Sequence, residues 1–370
     1  MTATRRRANN QGKETEMHPR KAVTALAAAA ALLAAGTAGA ETNLVYSTYV
    51  SQGSSSNLQY EGYLEELSRR TDGAVKVQDK MYMSALMKAG EHLSGIGQGL
   101  ADVGYFCTGY TPAALPLTSM AEMPYVTEKG DAVSATLAEL YESYPPLQKE
   151  YEKQNVVILA FDAPSATIIG VDEPISSAAD LKGLKVRAYG EVGNIVSKAA
   201  GMIPVPMSTA DIYTALQTGA IDGYTGIPLW MPGPENWLPH TKTIVAPGIG
   251  TYYTCGLAMN KDVYDGLPQK VKDEIAKMRR EFPAKSIEYV RKGDAATVAK
   301  AQELGVDFYR FTPEEVAAWK QAIDYEQLKA DWIESRQART DADVAAFLQT
   351  YRDTLAKHIP QSDYEQKFPK

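Results

Sequence analysis

Segments typical of strands and of helices alternate along most of this chain, and this alternation restricts the possible folds more than any other feature. Residues 44–50 are rich in β-branched and aromatic side chains, and residues 58–70 carry apolar side chains at helical spacing. Strand-like segments at 75–77 and 101–105 enclose a helical segment at 87–99. Such alternation predicts βαβ units and a mainly parallel sheet, which is the α/β class.

The alternation continues in the second half of the chain. Residues 156–161, 167–171 and 184–188 predict three more strands, because each is a short apolar run with β-branched residues. Residues 267–304 predict an unusually long helix, which Pro283 interrupts and should kink.

The first 40 residues have the composition of a secretory signal peptide. Basic residues precede an uncharged run at 22–35, and Ala38-Gly39-Ala40 supplies the small-x-small pattern of a cleavage site. The run is shorter than the ~20 residues that span a bilayer, which disfavours a membrane anchor. We therefore predict export and cleavage after Ala40. Either Met1 or Met17 could be the first residue of the precursor.

The remaining chain is too long for a single core. About 330 residues follow Ala40, and a chain of this length predicts two lobes. A turn at 162–164 and a strand at 252–259 predict the crossings between them. We assign residues 41–164 plus 253–292 to the first lobe. Residues 165–252 plus 293–370, which include the C-terminal helices, form the second.

The charge balance of the exported part is acidic. Residues 1–40 hold six of the 38 basic and two of the 45 acidic residues, which leaves 32 basic and 43 acidic groups and a net charge of −11. This argues against nucleic acid or an anionic membrane surface as a partner. Two cysteines remain, Cys107 and Cys255, and export permits one bridge. Spacing does not decide between a disulfide and two buried thiols.

Arg187 is the central candidate for binding. It ends an apolar strand-like run in a stretch, 180–223, that continues with two short amphipathic helices. The planar fork of a guanidinium can hold a carboxylate by two parallel hydrogen bonds. An arginine at a strand end also commonly forms a structural salt bridge, and the residues alone do not separate the two.

The stretch closely resembles the signature region of the solute receptors of tripartite ATP-independent periplasmic (TRAP) transporters. It reads DLKGLKVR at 180–187, PVPM at 204–207 and YTALQTGAIDG at 213–223. The resemblance implies a two-lobed periplasmic-binding-protein fold of type II-like character, with a long helix that spans both lobes near the carboxyl end. It also implies that Arg187 holds the carboxylate of an organic acid, which is delivered to a membrane permease of one small and one large subunit.

Two departures from the family narrow the expected ligand. Many such receptors carry a second arginine on the preceding strand, where this chain has Ala166-Thr167-Ile168-Ile169. Many also follow the DG with QENP, where this chain has Tyr224-Thr225-Gly226-Ile227-Pro228. The expected site can therefore hold one carboxylate through Arg187. It lacks the polar side chains that would bind a second carboxylate or the hydroxyls of a sugar acid.

Aromatic side chains are abundant in the segments expected to form the cleft. Aromatic rings bind apolar ligands by contact area, and a tyrosine hydroxyl adds a donor. Ordinary core packing is the alternative for each of them. Met207 and Thr209 open a helix whose N-terminal dipole favours anions. The predicted ligand-binding residues are Arg187, Tyr49, Tyr110, Tyr189, Met207, Thr209, Tyr224 and Trp230.

The sequence contains none of the common catalytic motifs. The chain has no G-x-S-x-G, H-E-x-x-H, C-x-x-C or P-loop motif, and its histidines lack paired ligand spacing. We therefore predict a receptor without cofactor or metal, a monomer or weak dimer that binds an aromatic or apolar monocarboxylate, such as a 2-hydroxy or 2-keto acid. A C4-dicarboxylate receptor, a secreted organic-acid enzyme and a sensor module on the same scaffold stay as alternatives.

Overall fold

The chain folds around two β-sheets. The computed structural model describes residues 41–369, so the predicted signal peptide and its cleavage site after Ala40 lie outside the described residues. The first sheet has the strand order β2-β1-β3-β10-β4. Its strands are β1 (Thr42–Ser47), β2 (Val75–Met81), β3 (Val103–Cys107), β4 (Val156–Phe161) and β10 (Cys255–Asn260).

The second sheet has the strand order β11-β9-β5-β8-β6-β7. Its strands are β5 (Thr167–Val171), β6 (Lys185–Ala188), β7 (Ile203–Pro206), β8 (Gly223–Pro228), β9 (Thr243–Ala246) and β11 (Asp307–Arg310). The predicted two-lobed α/β fold is therefore correct, with one sheet at the centre of each lobe.

Each sheet is mainly parallel, as predicted, with one strand that runs in the opposite direction. β1 runs parallel to β2 and β3, and β6 runs parallel to β7 and β8. β10 is antiparallel to β3 and β4, while β5 is antiparallel to β8 and β9. β5 and β10 are the strands that follow the two direct crossings between the sheets, so the reversed strands arise there. β11, which the chain reaches through the long helix after β10, runs parallel to β9.

Helices cover the sheets and fill the connections. One helix ends at Ser143 and Pro145 begins the next, because proline is tolerated in the first turn of a helix but not in its interior. The helices are α1 (Ser55–Arg70), α2 (His92–Gly97), α3 (Gly130–Ser143), α4 (Pro145–Glu152), α5 (Gly190–Ala199), α6 (Thr209–Gln217), α7 (Lys261–Gly266), α8 (Gln269–Glu303), α9 (Pro313–Ala322), α10 (Tyr325–Gln337) and α11 (Val344–His358).

The long helix α8 belongs to both lobes. It has 35 residues and stays helical through Pro283. Ile275 and Phe282, in its first half, belong to the core that includes the first sheet. Ile287 and Val290, in its second half, belong to a second core under strands of the second sheet. The predicted helix spanning both lobes is thus confirmed.

The last helix lies against the first lobe, although we had grouped it with the second. α11 packs on α3, and the ring of Phe347 meets that of Tyr144 at 5.2 Å between centroids. Burial of Phe347, Leu348 and Leu355 explains this position, since these side chains form the apolar face of α11. The exact boundaries between the lobes stay a prediction.

The segment after α11 lies along the junction of the lobes. Tyr364 is buried, and its hydroxyl donates to Asp294 Oδ2 of α8 at 2.7 Å. Gln366 Nε2 donates to the carbonyl of Ala166 at 2.8 Å, between β4 and β5. Phe368 meets Phe308 of β11 at 5.4 Å between centroids. This segment therefore joins α8, the first crossing and the second sheet.

The raised pKa values of several buried carboxyls predict that the protein is most stable in mildly acidic solution. Burial raises the pKa of Glu122 to about 8 and the pKa values of Glu150, Asp162 and Asp294 to about 7. In the unfolded chain these groups ionise near pH 4, so between pH 5 and 7 the folded state binds more protons. The free energy of unfolding should therefore fall as pH rises from 5 to 8, by about 1.4 kcal/mol per pH unit for each proton. Burial lowers the pKa of His92, so below about pH 6.5 the unfolded chain binds one proton more at this residue than the folded state does. This proton partly offsets the stabilising effect of the carboxyls at acidic pH.

Urea unfolding at pH 5, 6, 7 and 8 measures this dependence. Asp294→Asn removes one titrating group but keeps an acceptor for Tyr364, so it should reduce the slope. Glu288→Gln is the matched control, because Glu288 lies exposed on the same helix. A stability that stays constant or rises between pH 6.5 and 8 would contradict the prediction.

Candidate functional site

The candidate site is a cavity between the facing edges of the two sheets. The parallel strands β6, β7 and β8 present their carboxyl ends to it, which is where open α/β sheets bind ligands. β1, β3 and the start of β10 supply the opposite wall. The cavity is small, and the space in it that water-sized atoms can occupy is about 20 Å³. Its walls are formed by Tyr49, Tyr105, Cys107, Tyr110, Arg187, Tyr189, Thr209, Gly226, Ile227, Pro228, Trp230, Met231, Tyr253 and Cys255.

Arg187 is fully buried in this wall and is held by three hydrogen bonds. Its Nε donates to the Met207 carbonyl at 3.1 Å and its Nη1 to the Thr225 carbonyl at 3.4 Å. Its Nη2 donates to the Tyr110 hydroxyl at 2.8 Å. A guanidinium has five N–H groups, so one remains on each terminal nitrogen. A guanidinium can hold a carboxylate by two parallel hydrogen bonds, so these two groups are available to an anionic ligand.

Arg187 differs from the other buried arginines of the described chain by lacking an acidic partner. Arg336 is paired with Glu191 at 2.8 Å, and Arg279 with Glu142 at 3.2 Å. Among residues 41–369 no carboxylate oxygen lies within 4.0 Å of the Arg187 guanidinium. A buried charge without a partner is costly, so this position favours an anion from outside the chain.

Most of the remaining wall is apolar or aromatic. The rings of Tyr49 and Tyr105 are stacked at 5.0 Å between centroids, and Tyr110 meets Tyr49 edge to face at 5.5 Å. Burial raises the pKa values of Tyr49, Tyr105 and Tyr189 well above the ordinary value, so these side chains are uncharged and do not offset Arg187. The cavity therefore combines one cation with a largely apolar body.

Two hydroxyls in the wall have no hydrogen-bond partner within the described chain. They are Tyr49 Oη and Thr209 Oγ1, and both are buried. Thr209 begins α6, and its backbone amide donates to the Tyr110 hydroxyl at 3.3 Å, next to Arg187. Buried polar atoms normally have partners, so these two hydroxyls are available to a bound molecule.

A disulfide forms part of the same wall. Cys107 ends β3 and Cys255 begins β10, and the two residues face each other in the antiparallel register of these strands. They are paired, so no free cysteine is present in residues 41–369. Of the two states that the sequence left open, the structure has the bridge.

Six of the eight predicted site residues line the cavity. Met207 contributes differently. Its carbonyl accepts from Arg187, and the residue lines the outer opening of the cleft, together with Gly109 and Tyr110. Tyr224 is absent from the cavity wall. Its ring packs on Trp237 at 5.1 Å, and its hydroxyl lies 3.1 Å from Thr241 Oγ1 in the core of the second lobe. Side chains alternate between the faces of a strand, and Tyr224 of β8 points away from the cleft.

Other wall residues were not selected from the sequence. Tyr105 and Tyr253 lie in segments where aromatic side chains are abundant, and nothing in the sequence distinguishes them from core residues. Ile227 and Met231 carry no functional signal at all. The two cysteines are recognisable as a possible pair, because the sequence has only two. Their place in the same cavity wall as Arg187 depends on the register of the sheet.

Within residues 41–369 no group of three or more His, Cys, Asp or Glu side chains is arranged to hold a metal ion. Over the same residues, the helices include none with the length and apolar character of a membrane span.

Comparison with known proteins identifies the family. Residues 46–330 match the family described as bacterial extracellular solute-binding protein, family 7, or DctP. The C4-dicarboxylate-binding periplasmic protein DctP of Rhodobacter capsulatus is 26% identical over 265 residues, which cover 70% of this chain and 78% of that protein.

Solved structures share the fold. A TRAP solute-binding protein from a marine metagenome, specific for aromatic acid ligands and crystallised with 3-hydroxybenzoate, superposes with a TM-score of 0.76 at 25% identity. The match covers 86% of this chain and 99% of that one. A TRAP solute-binding protein of Rhodoferax ferrireducens, with copurified benzoate, gives 0.77 at 23% identity, with coverage of 86% and 99%.

The family match extends over more than half of the chain, and the two-lobed fold with its interlobe cavity agrees with it. The resemblance noted in the sequence is therefore confirmed. This chain belongs to family 7 of the bacterial extracellular solute-binding proteins, the DctP family of TRAP solute receptors.

Proposed function

We propose that this protein captures a small aromatic or apolar monocarboxylate in its interlobe cavity and presents it to a TRAP permease. The observation that carries the proposal is Arg187, a buried cation with two free N–H groups and no acidic partner among residues 41–369. A ligand carboxylate would accept both N–H groups and neutralise the buried charge. The Thr209 hydroxyl, beside Tyr110, would supply a further donor.

The composition of the cavity wall supports a single carboxylate. Arg187 is the one basic side chain among its described residues. A second carboxylate would lie against tyrosine rings, Ile227 or Pro228, where desolvation of its charge would not be offset. The relative specific for aromatic acids supports the same ligand class. The free Tyr49 hydroxyl suits a ligand that also carries a hydroxyl or keto oxygen.

Capture would proceed by closure of the two lobes around the acid. A ligand held by Arg187 and Thr209 on one lobe and by Tyr49 and Tyr105 on the other binds the closed form more tightly than the open one. Differential affinity of this kind shifts the population toward closure. The bound acid would leave the site chemically unchanged.

The family and the predicted signal peptide support a proposal for the cellular location and the membrane partner. We propose that the mature chain begins after Ala40 and acts in the periplasm as a monomer or weak dimer. Its membrane partner would be a permease of one small and one large subunit.

A thermal-shift screen of matched acids tests this proposal on residues 41–370. Benzoate should raise the melting temperature, whereas benzyl alcohol, which lacks the carboxylate, should not. Phthalate, which adds a second carboxylate to the same ring, should bind more weakly than benzoate. At 100 times its dissociation constant a ligand stabilises the protein by about 2.7 kcal/mol.

The same screen distinguishes the alternatives. Stronger stabilisation by succinate or malate than by benzoate would favour a C4-dicarboxylate receptor and contradict the assigned ligand class. Chemical conversion of a bound acid, followed by chromatography, would indicate an enzyme. The absence of a shift with any acid would remove the main support for a carboxylate receptor.

A further inference from the structure

Two tyrosines cross between the lobes in opposite directions. Tyr110 follows β3 of the first sheet, and its oxygen accepts from Arg187 Nη2 at 2.8 Å and from the Thr209 amide at 3.3 Å. Tyr189 follows β6 of the second sheet, and its oxygen accepts from the Gly109 amide at 2.8 Å. The two rings meet edge to face with centroids 5.3 Å apart. The lobes are thus joined by a reciprocal pair of hydrogen-bonded rings.

Glu122 holds the Tyr189 hydroxyl from the side of the first lobe. Its Oε1 accepts from Tyr189 Oη at 3.2 Å and from the Thr254 amide at 3.0 Å. The carboxyl is buried, and this burial raises its pKa to about 8. At neutral pH the group is therefore mostly uncharged, so it orients the hydroxyl without adding a negative charge to the cavity wall.

The position of the two rings separates the cavity from the outer cleft. Tyr110 lines both the cavity and the outer opening, so it stands between them. A Cβ atom at position 109 would collide with the ring of Tyr189. Glycine at this position therefore permits the close approach on which the Tyr189 hydrogen bond depends.

We propose that Tyr189, Glu122 and the Gly109 amide form an interlobe latch that sets how fast the closed cleft opens. The ligand part of this proposal rests on the proposed receptor function. The hydrogen bonds of Tyr189 join opposite lobes, so they are broken whenever the cleft opens. Arg187 selects the carboxylate, while Glu122 is a positioning residue that acts through Tyr189. Loss of the latch speeds the opening of the cleft and the release of the ligand.

The disulfide offers a measure of opening that needs no ligand. Cys107 and Cys255 line the cavity behind the two rings, so the rate at which dithiothreitol reduces them in the folded, ligand-free protein reports how often the cleft opens. Tyr189→Phe and Glu122→Ala should accelerate reduction about two- to tenfold, the effect of losing one or two hydrogen bonds. Glu122→Gln keeps the acceptor oxygen and should restore a rate close to that of the wild type.

Tyr224→Phe is the matched control for this experiment. It removes the same atom and also breaks a hydrogen bond, with Thr241, but inside the second lobe. The latch predicts an unchanged reduction rate for this variant, whereas reduction through global unfolding would accelerate in both. Tyr189→Phe removes a single oxygen, so the test does not depend on whether Glu122→Ala folds.

Stopped-flow release of benzoate provides the second measurement. Its dissociation rate should rise in Tyr189→Phe and Glu122→Ala by the factor seen for reduction. Glu122 does not line the cavity, so in Glu122→Ala the preference for benzoate over benzyl alcohol should stay unchanged. Faster reduction together with no binding of any acid would support the latch and reject the proposed ligand class. Reduction of Tyr189→Phe at the wild-type rate, or equal acceleration in Tyr224→Phe, would overturn the latch alone.

Discussion

Replacement of Arg187 by alanine is expected to weaken benzoate binding more than tenfold while the ligand-free protein stays folded. The variant loses two hydrogen bonds to a charged carboxylate, each worth on the order of 1.5–3 kcal/mol. Arg187→Lys keeps the charge but loses the planar fork, so its affinity should be intermediate. Isothermal titration of the wild type and both variants with benzoate measures these differences.

Lys185→Ala is the matched control for the loss of charge. Lys185 lies on the same strand as Arg187 but is exposed, and its removal should change the affinity by less than about twofold, since exposed charges act weakly. The melting temperature of ligand-free Arg187→Ala separates binding from structure. A large drop in that temperature with unchanged benzoate affinity would assign Arg187 a structural role.

Removal of the Cys107–Cys255 bridge is expected to have the largest effect on stability. The bridge closes a loop of 148 residues. A loop of this length restricts the unfolded chain strongly, which corresponds to about 5 kcal/mol in the chain-entropy account. The double variant Cys107→Ser/Cys255→Ser should therefore show a lower urea midpoint than the oxidised wild type.

Unfolding with and without dithiothreitol provides the internal comparison. Reductant should lower the stability of the wild type to that of the double variant and should leave the double variant unchanged. Equal stability of the oxidised wild type and the double variant would contradict the prediction. The double variant should also still bind benzoate, because Arg187 is held by the second lobe and by Tyr110.

The strands that could be predicted are those whose composition is unambiguous. β4 and β5 are continuous apolar runs, and both were placed within their observed bounds. β7 reads IPVP, and its two prolines remove backbone donors, which is tolerable because β7 lies at the edge of its sheet. β8 reads GYTGIP and lies in the interior, where tertiary pairing overrides its weak local preference.

The missed strand β8 explains the one site residue that faces the core. Without the knowledge that Gly223–Pro228 is a strand, the alternation of its side chains could not be applied to Tyr224. Arg187 is predicted without such a register, because the resemblance to the TRAP receptors implies its role. The aromatic wall could be predicted only in part. Its aromatic character is visible in the sequence, but its residues come from both sheets, and only the folded chain brings them together.

The path of the chain between the sheets also limits how new specificities can be made by recombination. The backbone leaves the first sheet after β4, returns to it with β10, enters the second sheet again with β11, and ends with α11 on α3. An exchange of one whole lobe with a relative would therefore need several simultaneous junctions, one of them inside α8. Chimeras of this kind would disrupt both cores, so substitutions in the cavity wall are the more practical route to altered ligand choice.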